Sequence, residues 1–302
     1  MEEADYTGAA PAGAALNRGR ARYNSDSRHI EIAADKVVGM KRQALGSMIV
    51  PLAFVLLSAS ASAQWINVTI EGTPRTPDGK PNLLAASPRT ADGKLDLSGI
   101  WRVHDEDGPP KYALNLAADL PDQRVPLQPW AEVLMKEREA NLGKDYPATR
   151  CLPPGVPNLT MAPHPFKIVQ TRGLVVILYE ALNTYRQIHT DGRALPRDPN
   201  PTWMGYSIGN WEGDTFVART TGFNDKTWID VAGHPNTEAL QVIERFRRRD
   251  FGHMDIEITI DDAKAYTKPW TVTIASVLVP DTELLEFVCT ENEKDQSHMV
   301  GK

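Results

Sequence analysis

Hydrophobic and polar residues alternate in short runs through the C-terminal half of the chain. Ile256, Ile258 and Ile260 interleave with Asp255, Glu257 and Thr259, the period-two pattern of a strand with one buried face. Similar β-rich runs recur at 166–171, 174–179, 185–190, 204–211, 215–220, 238–248, 253–260, 270–278 and 284–289. Arg172-Gly173 and Glu212-Gly213-Asp214 fall between consecutive runs as hairpin loops, with glycine where positive φ is wanted. The links hold no helical crossovers of the kind a parallel sheet needs, so the pattern predicts an antiparallel meander. A sheet of so many strands closes or folds over, because an open one leaves long unpaired edges. The expected fold class is mainly β: an antiparallel up-and-down barrel or half-barrel.

Leu127 to Leu142 carries the one helical pattern, with Trp130, Val133, Leu134 and Arg138 near one face and Gly143 just beyond as a C-cap. The five prolines between Cys151 and Pro165 exclude a regular element there. Residues 64–126 lack periodicity and are dense in turn formers. They hold a repeat, Pro74-Arg75-Thr76-Pro77-Asp78-Gly79-Lys80 against Pro88-Arg89-Thr90-Ala91-Asp92-Gly93-Lys94, with a period of 14. Two such short copies do not make a solenoid, whose repeats each carry a core face. The reading is an extended N-terminal arm with two Asp-Gly turns, leading to a short strand at 97–103 around Trp101 and lying over the helix-plus-barrel domain, 127–302.

Composition adds a compartment. Met40-Lys41-Arg42 precedes an apolar stretch from Ala44 to Leu57 and an Ala61-Ser62-Ala63 end, the layout of a secretory signal peptide over 40–63. The apolar run falls short of the roughly 18 residues that span a bilayer, so no stable membrane anchor is expected after cleavage. Residues 1–39 read as an upstream extension, with translation starting near Met40. Cleavage after Ala63 leaves 239 of the 302 residues and takes the net charge from −6 to −7. An acidic chain has no global field for a phosphate backbone, so no nucleic acid is expected as partner. In an exported protein the two cysteines, Cys151 and Cys289, read as one disulfide. A catalytic thiol has no local motif to support it.

Gly209-Asn210-Trp211-Glu212-Gly213-Asp214-Thr215 followed by Thr221-Gly222-Phe223-Asn224, together with Tyr185 to Arg193 and Glu244 to Arg248, resembles a family of secreted bacterial proteins, mostly of uncharacterised function. The resemblance runs from about Pro126 to the C-terminus. More loosely, the meander is similar to lipocalin and calycin barrels, which implies a small-molecule site in a barrel mouth.

Polar and aromatic residues are densest between Trp203 and His234. Trp203, Tyr206, Trp211, Trp228 and Tyr266 suit the walls of a cavity for a small apolar or aromatic molecule. His189, Asp225, Asp230, His234 and Glu244 are the candidate polar or catalytic groups. The same residues also suit a bland role, with tryptophans as barrel plugs and Asp or Asn in turns and caps. His189 shares a strand face with Tyr185 and Gln187, while Arg186 and Ile188 take the other. Glu244 lies among apolar neighbours on its strand and must pair with an arginine if buried, as a functional group or as a staple. The Arg245 to Arg249 run reads as strand-edge solvation or anion contact. The histidines show no metal-ligand spacing, and no cofactor is called for. Gly205-Tyr206-Ser207-Ile208-Gly209 matches G-x-S-x-G but lies mid-strand, not on the strand-turn-helix elbow that motif requires.

Three functions remain. The leading one is an exported barrel that binds a small, largely apolar or aromatic molecule. The second is a cofactor-independent acid/base enzyme, such as an isomerase, lyase or hydrolase. The third is an envelope interaction protein with a filled barrel, contacting its partner through the arm.

Overall fold

The computed structural model describes residues 68–103 and 111–291; the leader and the upstream extension lie outside them. Nine strands close a barrel: β1 Gly99–Val103, β2 Phe166–Thr171, β3 Leu174–Tyr179, β4 Thr184–His189, β5 Tyr206–Glu212, β6 Thr215–Thr221, β7 Gln241–Arg248, β8 His253–Asp261 and β9 Trp270–Leu278. They pair in chain order, and β1 closes on β9. The strand at the end of the arm is thus a barrel stave. Residues 284–289 form no strand, and β1 supplies the ninth stave in their place.

One junction departs from the expected meander. Strand direction must return to itself around a closed ring, so antiparallel junctions come in an even number, and nine strands require an odd parallel one. That junction is β4 to β5, where only Ile188 pairs with Ser207 and His189 with Ile208. No helix makes the crossover. An irregular link over 190–205 does, carrying Pro196, Pro199 and Pro201, residues that withdraw backbone donors from any sheet. Two paired positions make a short seam beside the eight of β7 with β8.

Alternation fills the barrel. Trp101, Phe166, Ile168, Ile177, Ile188, Phe216, Phe246, Met254, Ile256, Ile258, Ile260 and Ile274 are buried in one cluster. On β5 the inward position next to Phe216 is Gly209, and a Cβ there would meet the Phe216 ring at 2.4 Å and Ile188 at 3.0 Å. The aromatic ring occupies the space a side chain would need. Gly209→Ala should therefore destabilise the barrel by about 1–3 kcal/mol through overpacking, which urea denaturation would read. A variant as stable as the parent would show that the ring can move aside.

Among the described residues three α-helices lie outside the barrel strands: α1 Lys111–Leu114, α2 Pro129–Ala140 and α3 Asn158–Met161. In α2 the buried position is Ala131, while Trp130 and Val133 are exposed. The face predicted from Trp130 and Val133 is turned away, and Trp130 instead donates its Nε1–H to the Lys264 carbonyl at 2.8 Å. Gly143 caps as expected, at φ 65, donating to the Arg138 carbonyl at 2.9 Å. Within the proline-rich stretch, α3 makes one wholly buried turn between Pro157 and Pro163.

The two copies of the arm repeat fold alike. Thr76 and Thr90 each bond the aspartate two residues on and the lysine carbonyl four residues on. Each leading arginine then forks onto a different aspartate: Arg75 onto Asp281, just after β9, at 2.6 Å for both contacts, and Arg89 onto Asp214 in the β5–β6 hairpin at 2.9 and 2.8 Å. The repeat is a pair of clips fastening the arm across the barrel. Cys151 and Cys289 form the expected disulfide, with Cα atoms 5.7 Å apart. No helix among the described residues is long and apolar enough to cross a membrane.

Candidate functional site

Because the β4/β5 seam is paired only at its far end, the two chains part below it. A cleft of about 790 Å³ is lined there by Thr184 to Gln187, by Thr202 to Tyr206 and by Arg193 to Pro196 of the irregular link. This volume is that of a small-molecule site. Tyr185, Leu195, Trp203, Met204, Tyr206 and Ile208 give it apolar and aromatic walls, and Gln187, His189 and Thr202 give it polar ones. Arg193 is held at the rim by a fork onto Asp191 at 2.6–3.0 Å, which pulls the Asp191 carboxyl down to about 2.

Arg186 and Ser207 also line the cleft, although each is no more than 3% exposed. They open onto a polar layer inside the barrel. Arg186 Nε–H donates to Ser207 Oγ at 3.0 Å, and Nη2–H to Thr220 Oγ1 at 2.6 Å. Ser207 and Thr220 bond each other at 2.9 Å. Arg186 Nη2 lies 2.6 Å from Glu244 Oε2, with both side chains no more than 1% exposed. One inward residue from each of β4, β5, β6 and β7 builds this layer, and β3 adds Tyr179, whose hydroxyl meets Thr160 of α3 at 3.2 Å. Burial is the largest influence and works against the Arg186 charge, but the Glu244 carboxylate and the Tyr179 hydroxyl together outweigh it and hold the guanidinium above its ordinary value. Burial pushes the Tyr179 phenol up.

The layer is incomplete. Among the described residues, Arg186 Nη1, Thr202 Oγ1 and both Glu244 oxygens have no hydrogen-bond partner; the close Glu244 to Arg186 contact is an ion pair without hydrogen-bond alignment. Unmatched buried polar atoms are rare in folded proteins and need an explanation.

The remaining candidates do not gather in one cavity. His189, Trp203 and Tyr206 share the cleft, with His189 on the outer face of β4 while Arg186 and Ile188 point inward. Asp225 is exposed in a loop. Asp230 and His234 are buried together, with Asp230 Oδ2 2.6 Å from His234 Nδ1 and accepting the Leu116 N–H at 2.8 Å; neither lines the cleft. Trp228 is buried under the Arg138 guanidinium at 4.1 Å and beside Tyr146. Tyr266 is buried against Trp270, its hydroxyl donating to the Pro235 carbonyl at 2.8 Å. Trp211 packs on Phe216 at 5.3 Å, at a second recess of about 650 Å³ beside Gln170 and the Thr90-Ala91-Asp92 turn. The five aromatics expected to wall a cavity are dispersed: Trp203 and Tyr206 line the cleft, Trp211 lines the second recess, and Trp228 and Tyr266 are buried in packing contacts.

Arg186, Tyr185, Thr202 and Ser207 were not among the sequence candidates for a site. The alternation does place Arg186 on the face of Ile188, and the structure turns that face inward, where Arg186 meets Glu244. Ser207 is a strand residue bonded to Arg186 and Thr220, with the β5–β6 hairpin and no helix after it, so it is not a nucleophile elbow. Arg245 pairs with Glu212 at 2.8 Å and Arg249 with Asp255 at 3.3 Å on a solvated face, whereas Arg248, in the same run, is buried and donates to the Asp96 and Phe251 carbonyls. Among the described residues no group of three or more His, Cys, Asp or Glu side chains is placed to hold a metal ion.

The chain matches no protein-family model, no curated protein and no solved structure.

Proposed function

We propose that the protein is an exported binding protein that holds a small, largely apolar or aromatic molecule in the cleft beside the parallel seam, outside the barrel lumen. The observation that carries this reading is a cleft of about 790 Å³ with aromatic walls over a floor of buried, unpartnered polar atoms. An apolar surround with a few fixed polar groups is how small-molecule sites combine affinity with orientation. The disulfide supports export, since such bonds persist in oxidising compartments, as does the leader pattern in the sequence. The acid/base reading is less favoured: of its five candidates only His189 lines the cleft, whereas proton transfer to and from a substrate calls for converging titratable groups.

Native mass spectrometry of the protein purified from its own host should reveal a co-purifying small molecule. Trp203→Ala, which removes an aromatic wall, should weaken its binding roughly tenfold to a hundredfold. A ligand retained at full affinity by this variant would place the site elsewhere.

A further inference from the structure

Arginine at the base of an aromatic cleft suggests an anionic ligand, but the charges on the floor argue otherwise. Arg186 is already neutralised by Glu244 at 2.6 Å, and both are shut off from water. The other arginine at the cleft, Arg193, is forked onto Asp191. A ligand carboxylate would be a second anion drawing on the one Arg186 cation, at a site where water cannot screen the two negative groups from each other. The unmatched Glu244 oxygens belong to a residue that does not line the cleft; of the residues that do, Arg186 and Thr202 carry the unmatched atoms, and what those two lack is a hydrogen-bond acceptor. Arg186 Nη1, a guanidinium nitrogen with no partner, can only donate. Thr202 Oγ1, also buried and unpartnered, carries a second available hydrogen.

We infer that the molecule this cleft recognises is neutral and presents a carbonyl-type oxygen, such as that of a ketone, ester, lactone or amide, to the free Nη1 donor of Arg186, with its apolar or aromatic body against Trp203 and Tyr206. The inference rests on the reading of the cleft as a binding site. A neutral acceptor completes the guanidinium's hydrogen bonds without changing the net charge of the floor. Selectivity follows from the same feature: an analogue lacking the oxygen leaves a charged donor desolvated and unmatched, a larger penalty than the loss of apolar contact.

Matched compounds test this by calorimetric titration of the whole protein. 2-Acetylnaphthalene is compared with 2-naphthoate and with 2-ethylnaphthalene, and coumarin with coumarin-3-carboxylate. The neutral carbonyl compound should bind at least about tenfold more tightly than its carboxylate partner and than the hydrocarbon. Replacing the ion pair as a whole, with Arg186→Met and Glu244→Met together, keeps the floor neutral. It should erase the ketone's advantage over 2-ethylnaphthalene while the melting curve shows a folded protein. Carboxylates that bind as tightly as the carbonyl compounds, or more tightly, would overturn the neutral-acceptor inference and leave the cleft reading in place. So would a ketone advantage that survives in the double variant. If no compound gives a binding heat that Trp203→Ala weakens, the cleft reading itself falls, and the inference with it.

Discussion

Reduction of the Cys151–Cys289 disulfide should lower the melting temperature by roughly 10 °C. The bond closes a loop with a sequence separation of 138, for which the chain-entropy model gives about 3–5 kcal/mol of stabilisation. In a protein of this size each kcal/mol shifts the midpoint by about 2–4 °C. The bond clasps the segment after β9, which forms no strand among the described residues. That segment is also held by the Arg75 fork on Asp281 at 2.6 Å, by Lys167 to Glu283 at 2.6 Å, by the Leu285 N–H on Glu180 and by the Phe287 N–H on Asn183. All nine staves close without it, so the reduced protein should still unfold cooperatively. Calorimetry with and without reductant, alongside Cys151→Ser/Cys289→Ser, measures the difference. A midpoint that moves by less than about 2 °C would mean that the tail's polar contacts hold it unaided.

How much of this was legible in the sequence depended on how local the determinant is. Arg172-Gly173 and Glu212-Gly213-Asp214 fixed two hairpins, because a tight turn is specified by the residues within it. The isoleucine alternation of β8 oriented that strand correctly, since a buried face imposes period two on its own residues. The disulfide followed from the count of two cysteines. The need for an arginine opposite Glu244 was also visible, from its apolar strand neighbours. The parallel seam was not, because it follows from closing a ring of nine, a property of all the strands together. His189 and Arg186 lie on opposite faces of one strand, and the sequence alone could not say which face turns inward. The Trp203 to His234 stretch looked like one site, but β5, β6 and the loop after them carry its residues to separate places. Proximity in sequence is a poor guide where strands travel across a barrel.

The Arg186–Glu244 pair gives the other large effect, and it separates a staple from a functional device. Glu244→Gln strips the countercharge from a guanidinium that is 2% exposed, and such a loss costs about 3–5 kcal/mol because the remaining charge stays buried. A drop in melting temperature of roughly 10 °C is expected, together with a fall in the urea midpoint. Removing both charges with Arg186→Met/Glu244→Leu should instead lie within about 1 kcal/mol of the parent, or stabilise it, since apolar side chains recover by packing what the ion pair gained electrostatically. If the double variant is as destabilised as Glu244→Gln, the pair is a structural staple and its unpartnered atoms are incidental. If its stability is restored while carbonyl compounds no longer bind better than hydrocarbons, folding alone does not explain a charged pair at this place in the barrel. The polar layer would then be kept for what it presents to the cleft, because four staves supply buried polar groups that an all-apolar layer would replace at no loss of stability.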